Sequence, residues 1–100
     1  MKLSEQELKI LKNFFREKPV LRVYLFGSYG RGDANEKSDI DLLVDLDYSK
    51  HIGLEFIGMK LDLEDLLLKN VDLVAHDGLS RHLAPTIEKE KRLIYERQNG

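Results

Sequence analysis

The sequence predicts an α/β fold: a small mixed β-sheet with helices packed mainly on one side. Three observations carry that expectation. Two strand-type runs, Val20–Phe26 and Asp39–Leu46, flank a loop with three glycines. A third short run, Val71-Asp72-Leu73-Val74-Ala75, alternates in the same way. Around these lie two segments, residues 5–17 and Leu54–Leu68, whose apolar residues recur at helical spacing.

In chain order, Ser4-x-x-Glu7 is a capping box, each side chain satisfying a free donor at the start of a helix. Leu8, Leu11 and Phe15, flanked by Ile10 and Phe14, follow at helical spacing, and Pro19 closes the segment. Residues 5–17 therefore read as an amphipathic helix with a core-facing side. Val20–Phe26 ends at Gly27 and reads as a strand feeding a glycine turn. Residues 27–38 read as a polar loop whose beginning can bind an anion, because glycine permits close backbone approach and exposes N–H groups. In the next strand Ile40, Leu42, Val44 and Leu46 make a core face. Asp39, Asp41, Leu43 and Asp45 make the other, which must look into a cleft, since adjacent carboxylates repel and desolvate unfavourably without cations.

Residues 47–53 are polar and mixed, a loop. Leu54–Leu68 is apolar around much of its circumference, so it packs under the sheet or offers a face to a partner. In Val71–Ala75, Asp72 faces opposite to Val71 and Leu73, and His76-Asp77-Gly78 turns the chain. Leu79–Arg97 reads as helical, with Pro85 kinking it or opening its second piece and Leu83, Ile87 and Ile94 marking its buried stripe.

Composition narrows the function. One hundred residues are expected to form a single domain, 1–100. Charged residues are 34% of the chain, yet 16 basic against 18 acidic leave a net charge of −2. That balance offers no global field for holding nucleic acid or an anionic membrane, so a nucleotide would bind by local contacts. The absence of cysteine excludes disulfides and thiolate metal sites. With no apolar signal region and no run near the ~20 residues of a membrane span, the expected location is the cytoplasm.

The chemistry concentrates at the glycine turn and the acidic strands. Asp39 and Asp41 share a strand face roughly 6–7 Å apart, close enough to converge on divalent cations ~3.5–4 Å from each other. Asp72 would be expensive to bury unpaired among Val71, Leu73 and Val74, which places it beside the first two. Three carboxylates at one sheet edge suit two Mg²⁺ ions, hard cations that also accept phosphate oxygens. Asp72 is then placed to take a proton from an acceptor hydroxyl. Neither the glycine turn nor Asp-x-Asp means much alone; their combination in one strand–turn–strand unit does. By contrast His51, His76 and His82 lack ligand spacing, and Asp45, Asp47 and Asp77 read as solvated strand ends. Glu90 interrupts the apolar stripe of the last segment and either snorkels or pairs with a lysine, or faces the cleft, and Lys89-Glu90-Lys91-Arg92 reads as a solvated helix face.

Apolar-Gly27-Ser28, ten residues, then Asp39-Ile40-Asp41-Leu42 is similar to the pattern of the nucleotidyltransferase superfamily that includes DNA polymerase β. More closely, Phe26-Gly27-Ser28-Tyr29-Gly30-Arg31-Gly32 with Ser38–Val44 resembles the minimal nucleotidyltransferase (MNT) family, and the resemblance extends to Val71–Val74 and Glu88–Glu96. It implies a polymerase β-like fold and ATP as nucleotide donor. It implies that Gly27 and Ser28 bind the terminal phosphates, that Arg31 neutralises triphosphate or pyrophosphate, and that Asp39, Asp41 and Asp72 are metal ligands and catalytic. Many such proteins resemble antitoxins encoded beside a small helical HEPN ribonuclease toxin, and the implied activity is transfer of AMP to a tyrosine of that toxin. The partner is then a HEPN-type protein, with an oligomer of the two possible, and not nucleic acid or membrane. Position 30, often alanine in the family, is glycine here, and a looser turn is expected. Two other readings stay open: an antitoxin that only masks its partner, and nucleotidyl transfer to a small-molecule hydroxyl. The last ranks low, since no second domain is expected to form an acceptor pocket.

Overall fold

The computed structural model describes residues 2–98. Helix α1 (Glu5–Arg16) starts at the expected capping box: Glu7 N–H donates to Ser4 Oγ at 3.0 Å, and Ser4 N–H donates to Glu7 Oε1 at 2.9 Å. Strand β1 (Val20–Phe26) pairs antiparallel with β2 (Ile40–Leu46), which pairs in parallel with β3 (Val71–Ala75). A parallel pair needs a crossover, and α3 (Glu55–Leu67) supplies it. Between β1 and β2 a short helix, α2 (Gly27–Arg31), stands where a loop is expected.

Alternation sorts the strands as the sequence indicates. Val20, Val23, Leu25, Ile40, Leu42, Val44 and Val71 are buried in one cluster with Leu11 and Phe15 of α1 and Met59, Leu63 and Leu67 of α3. Both long helices therefore cover one face of the sheet. Leu43, expected to look into a cleft, is instead fully buried on the second face. It lies in register between Tyr24 and Val74.

The C-terminal quarter corrects the sequence reading. One helical segment is expected over Leu79–Arg97, but the chain forms α4 (Ala84–Glu90) and then strand β4 (Arg92–Glu96). Pro85 opens α4 in its first turn, where its missing N–H costs nothing. Lys91 turns to extended backbone, and β4 pairs antiparallel with the outer edge of β1, giving the order β3-β2-β1-β4. An unpaired β1 edge would leave a row of backbone donors and acceptors unsatisfied, and closing it outweighs a weak helical propensity. Ile87 is buried, but Leu83 is exposed, and Ile94 reaches the core from a strand, so the three do not form one stripe.

Helix α4 is fastened to the second face of the sheet. His76 Nδ1 lies 2.6 Å from Asp45 Oδ1 and its Nε2 lies 2.9 Å from Glu88 Oε1, while Lys91 stands 4.5 Å over the Tyr24 ring. The Asp45 hydrogen bond, with Glu88 adding, raises the His76 pKa. His76 and Asp45 are thus a clasp, not a free loop and a solvated strand end. Asp47 is held by Ser49 and by Arg97 at 2.6 Å, and these bring its carboxyl down to about 2. Asp77 accepts a hydrogen bond from Tyr48 Oη at 2.7 Å.

Candidate active site

Sheet register lines up the predicted residues. Phe26 pairs with Asp41, so Gly27 emerges from β1 beside that carboxylate, and Asp41 pairs with Asp72 across the parallel ladder. Gly27, Asp41 and Asp72 form a row across one end of the sheet, on the face not covered by α1 and α3. Asp39 precedes β2 on the same side of the chain and is exposed.

Gly27 has φ +68°, and a Cβ built on it would overlap Asp41 Oδ2. Only glycine lets the turn pass that close to a carboxylate. The turn then closes on Ser28, whose carbonyl accepts from Gly32 N–H at 3.0 Å and Asp33 N–H at 2.9 Å. Tyr29 is buried in the core cluster and anchors α2. Its hydroxyl accepts from Lys69 Nζ at 3.1 Å, and Lys69 is itself paired with Glu7 at 2.8 Å. Gly30 does not loosen the turn: a Cβ there would stand 3.0 Å from the Leu25 carbonyl oxygen. Alanine at this position would require the backbone to give by a few tenths of an ångström.

Arg31 is exposed at the end of α2, bonded to Asp33 at 3.1 Å and to both carboxylate oxygens of Glu90 at 3.3 Å. Glu90 therefore faces the turn and pairs with arginine, not lysine. Its interruption of an apolar stripe is the signal that was present in the sequence; Asp33, two residues past Arg31, gave none.

Burial raises the Asp41 pKa to about 6, with the charge and hydrogen bond of Asp72 next in size, Asp39 adding, and Arg31 opposing. Asp41 and Asp72 thus meet as expected. The full triad is not preassembled: among the described residues no three His, Asp or Glu side chains form a group that could hold a metal ion. The donor set nevertheless suits a hard cation, since it is all carboxylate oxygen and Asp41 resists ionising where it lies buried beside Asp72. A cavity of about 540 Å³ opens beside Asp39, lined also by Lys37, Ser38 and Lys69. A cavity of about 660 Å³ between α1 and β4 holds none of the six predicted site residues. Among the described residues no helix is long and apolar enough to cross a membrane.

Comparison with known proteins agrees with this geometry. Residues 9–100 match the family described as "Polymerase beta, Nucleotidyltransferase". A Thermococcus cleftensis protein named protein adenylyltransferase MntA is 42% identical over 71 residues, 71% of this chain and 71% of that protein. A Methanocaldococcus jannaschii protein, named as a candidate protein adenylyltransferase, is 33% identical over 90 residues, 90% of this chain and 95% of its own length. Among solved structures, a toxin–antitoxin with AMP-PNP superposes with a TM-score of 0.74 at 26% identity, covering 92% of this chain and 74% of that one. A candidate minimal nucleotidyltransferase gives 0.66 at 35% identity, covering 88% and 85%. With its strand–glycine turn–strand unit, its row of aspartates and a match over residues 9–100, the chain belongs to the polymerase β-type nucleotidyltransferase family.

Proposed function

We propose that this chain transfers AMP from ATP to a tyrosine hydroxyl of a helical HEPN-type toxin and so acts as its antitoxin in the cytoplasm. The observation that carries the reading is the row Gly27–Asp41–Asp72. A glycine that can be nothing else lies against a carboxylate that resists ionising beside its neighbour. Such an arrangement is costly for the empty fold and useful for holding a cation and phosphates together. The Thermococcus relative bears the name of this activity, and a solved structure with the same fold is described as a tri-AMPylated HEPN toxin in complex with an MNT antitoxin.

In this reading Asp39, Asp41 and Asp72 would hold Mg²⁺, and two ions fit the family's pattern. Bound magnesium supplies neutralisation of phosphate charge and a lowered pKa for a coordinated hydroxyl. The turn at Gly27 and Ser28 holds the β- and γ-phosphates through backbone N–H groups and the Ser28 hydroxyl. Arg31 exchanges Asp33 and Glu90 for the triphosphate, an exchange its exposed position permits. The toxin's tyrosine oxygen attacks the α-phosphorus, the bond to the β-phosphate breaks, pyrophosphate leaves, and Asp72 takes the phenolic proton. Most of the rate enhancement comes from positioning and charge stabilisation.

Masking without chemistry is the second reading, favoured by the absence, among the described residues, of three carboxylates grouped closely enough to hold a metal ion. Labelled ATP separates the two. Incubated with the toxin and Mg²⁺, α-labelled ATP should transfer its label to the toxin and γ-labelled ATP should not, each AMP adding ~329 Da. The modified toxin should stay inactive after this chain is removed. Activity regained on separation, with no added mass, means masking.

A further inference from the structure

Glu90 stands where local chemistry disfavours it. It is the last residue of α4, and a carboxylate at a helix C-terminus meets the negative end of the helix dipole, where a cation is preferred. Its side chain is only 22% exposed, and a carboxylate drawn that far out of water needs a partner. Among the described residues its cation is Arg31 alone, whose Nη1 donates to both carboxylate oxygens at 3.3 Å. The helix end is also held in place. Ile87 is buried, Lys91 N–H donates to the Ile87 carbonyl at 2.8 Å, and Glu88 and Lys91 reach His76 and the Tyr24 ring. The Glu90 carbonyl oxygen packs against α2, 3.6 Å from where a Cβ on Gly30 would stand.

We propose that Glu90 competes with the terminal phosphates of the nucleotide for Arg31, and so limits the affinity of the site for ATP and for the pyrophosphate released from it. The inference rests on the nucleotidyl transfer proposed above and adds a positioning residue to it. A carboxylate that takes a guanidinium N–H with both oxygens occupies the donor that phosphate oxygens would use. Moving Arg31 onto a triphosphate leaves Glu90 a partly buried anion without its cation, close to incoming charge of the same sign. Both effects oppose binding. After transfer the exchange runs backwards: Glu90 recovers Arg31, and pyrophosphate loses that contact and leaves. Asp33 makes the shorter bond to Arg31, at 3.1 Å, but its side chain is 62% exposed and returns to water at little cost. The penalty lies in the group left behind, so Glu90 is the stronger competitor.

Calorimetric titration with ATP, pyrophosphate and AMP, each with Mg²⁺, tests the proposal. Glu90→Gln keeps the side chain's shape and removes its charge. It should bind ATP and pyrophosphate about fivefold more tightly than the wild type. AMP has no β- or γ-phosphate to offer Arg31, and its affinity should stay within about twofold. Asp33→Asn should shift ATP binding by less than about twofold. In an Arg31→Gln background the gain from Glu90→Gln should fall below about twofold, the coupling that a double-mutant cycle measures. A merely structural Glu90 would instead weaken all three ligands and lower Tm together. ATP affinity unchanged or reduced in Glu90→Gln overturns the proposal. An equal gain for AMP, or a gain that survives Arg31→Gln, overturns it too, since either is the general effect of removing one negative charge. A wild-type chain that binds neither ATP nor pyrophosphate would bring down the proposed function as well, whereas ATP binding without the gain overturns this inference alone.

Discussion

Replacing Asp39 and Asp41 together by asparagine is expected to lower nucleotidyl transfer at least ~1,000-fold while leaving the metal-free fold as stable as before or more so. Losing one transition-state charge stabiliser commonly costs 10²–10³ in rate, and this variant removes two. Stability should move the other way because Asp41 is strained as an anion. Its pKa is about 6 in the folded chain, against an ordinary 3.8. The folded state therefore holds the proton more tightly than the unfolded chain does, and ionising Asp41 costs folding free energy. Without metal, wild-type stability should fall as pH rises from about 4 to about 6 and then level off, as far as this group contributes. The double variant should lose that slope. Thermal melts between pH 4 and 8, beside transfer assays, check both halves. A variant that unfolds at pH 7 would make these aspartates structural.

Gly27→Ala should be nearly as damaging, for a different reason. At φ +68° an L-residue costs ~1–2 kcal/mol, and the new methyl must also displace the Asp41 carboxylate it would overlap. Loss of transfer beyond ~100-fold is expected, since a misplacement of about 1 Å can cost that much, together with a lower Tm. Gly32→Ala is the control. Gly32 has φ +86° but no atom within 4 Å of a built Cβ, so the strain is comparable and the site is untouched. It should lower Tm and keep most of the activity. Equal activity losses in the two variants would show that general destabilisation, not the Gly27–Asp41 contact, explains the result.

The site was more legible in the sequence than the fold's last quarter. Period-two alternation places Asp41 and Asp72 on the face away from Ile40, Leu42, Val71 and Leu73, and burial in the structure follows that parity. The capping box at Ser4–Glu7 and the long helices rest on local signals of the same strength. What failed was tertiary. Ile87 and Ile94 are seven apart, a helical spacing, and nothing local says that β1 has an open edge waiting for Arg92–Glu96. Leu43 sits among aspartates in sequence, yet α4 and its His76–Glu88 clasp close the middle of that face. The partners of Arg31 divide likewise: Glu90 left a mark by breaking an apolar pattern, while its contact at 3.3 Å comes from 59 positions away in the chain.

The most direct measurement is the melting temperature of the chain with ATP, with Mg²⁺ and with both. Saturation at ~100 times Kd stabilises a folded state by ~2.7 kcal/mol, which in a chain of this size moves Tm by ~10 °C or more. If Asp39, Asp41 and Asp72 hold magnesium against phosphates cradled at Gly27 and Ser28, the two ligands together should raise Tm by more than the sum of either alone. The synergy should vanish in the Asp39→Asn/Asp41→Asn variant. A shift from ATP that is the same with and without magnesium, or no shift at millimolar concentrations of both, would contradict a composite nucleotide–metal site.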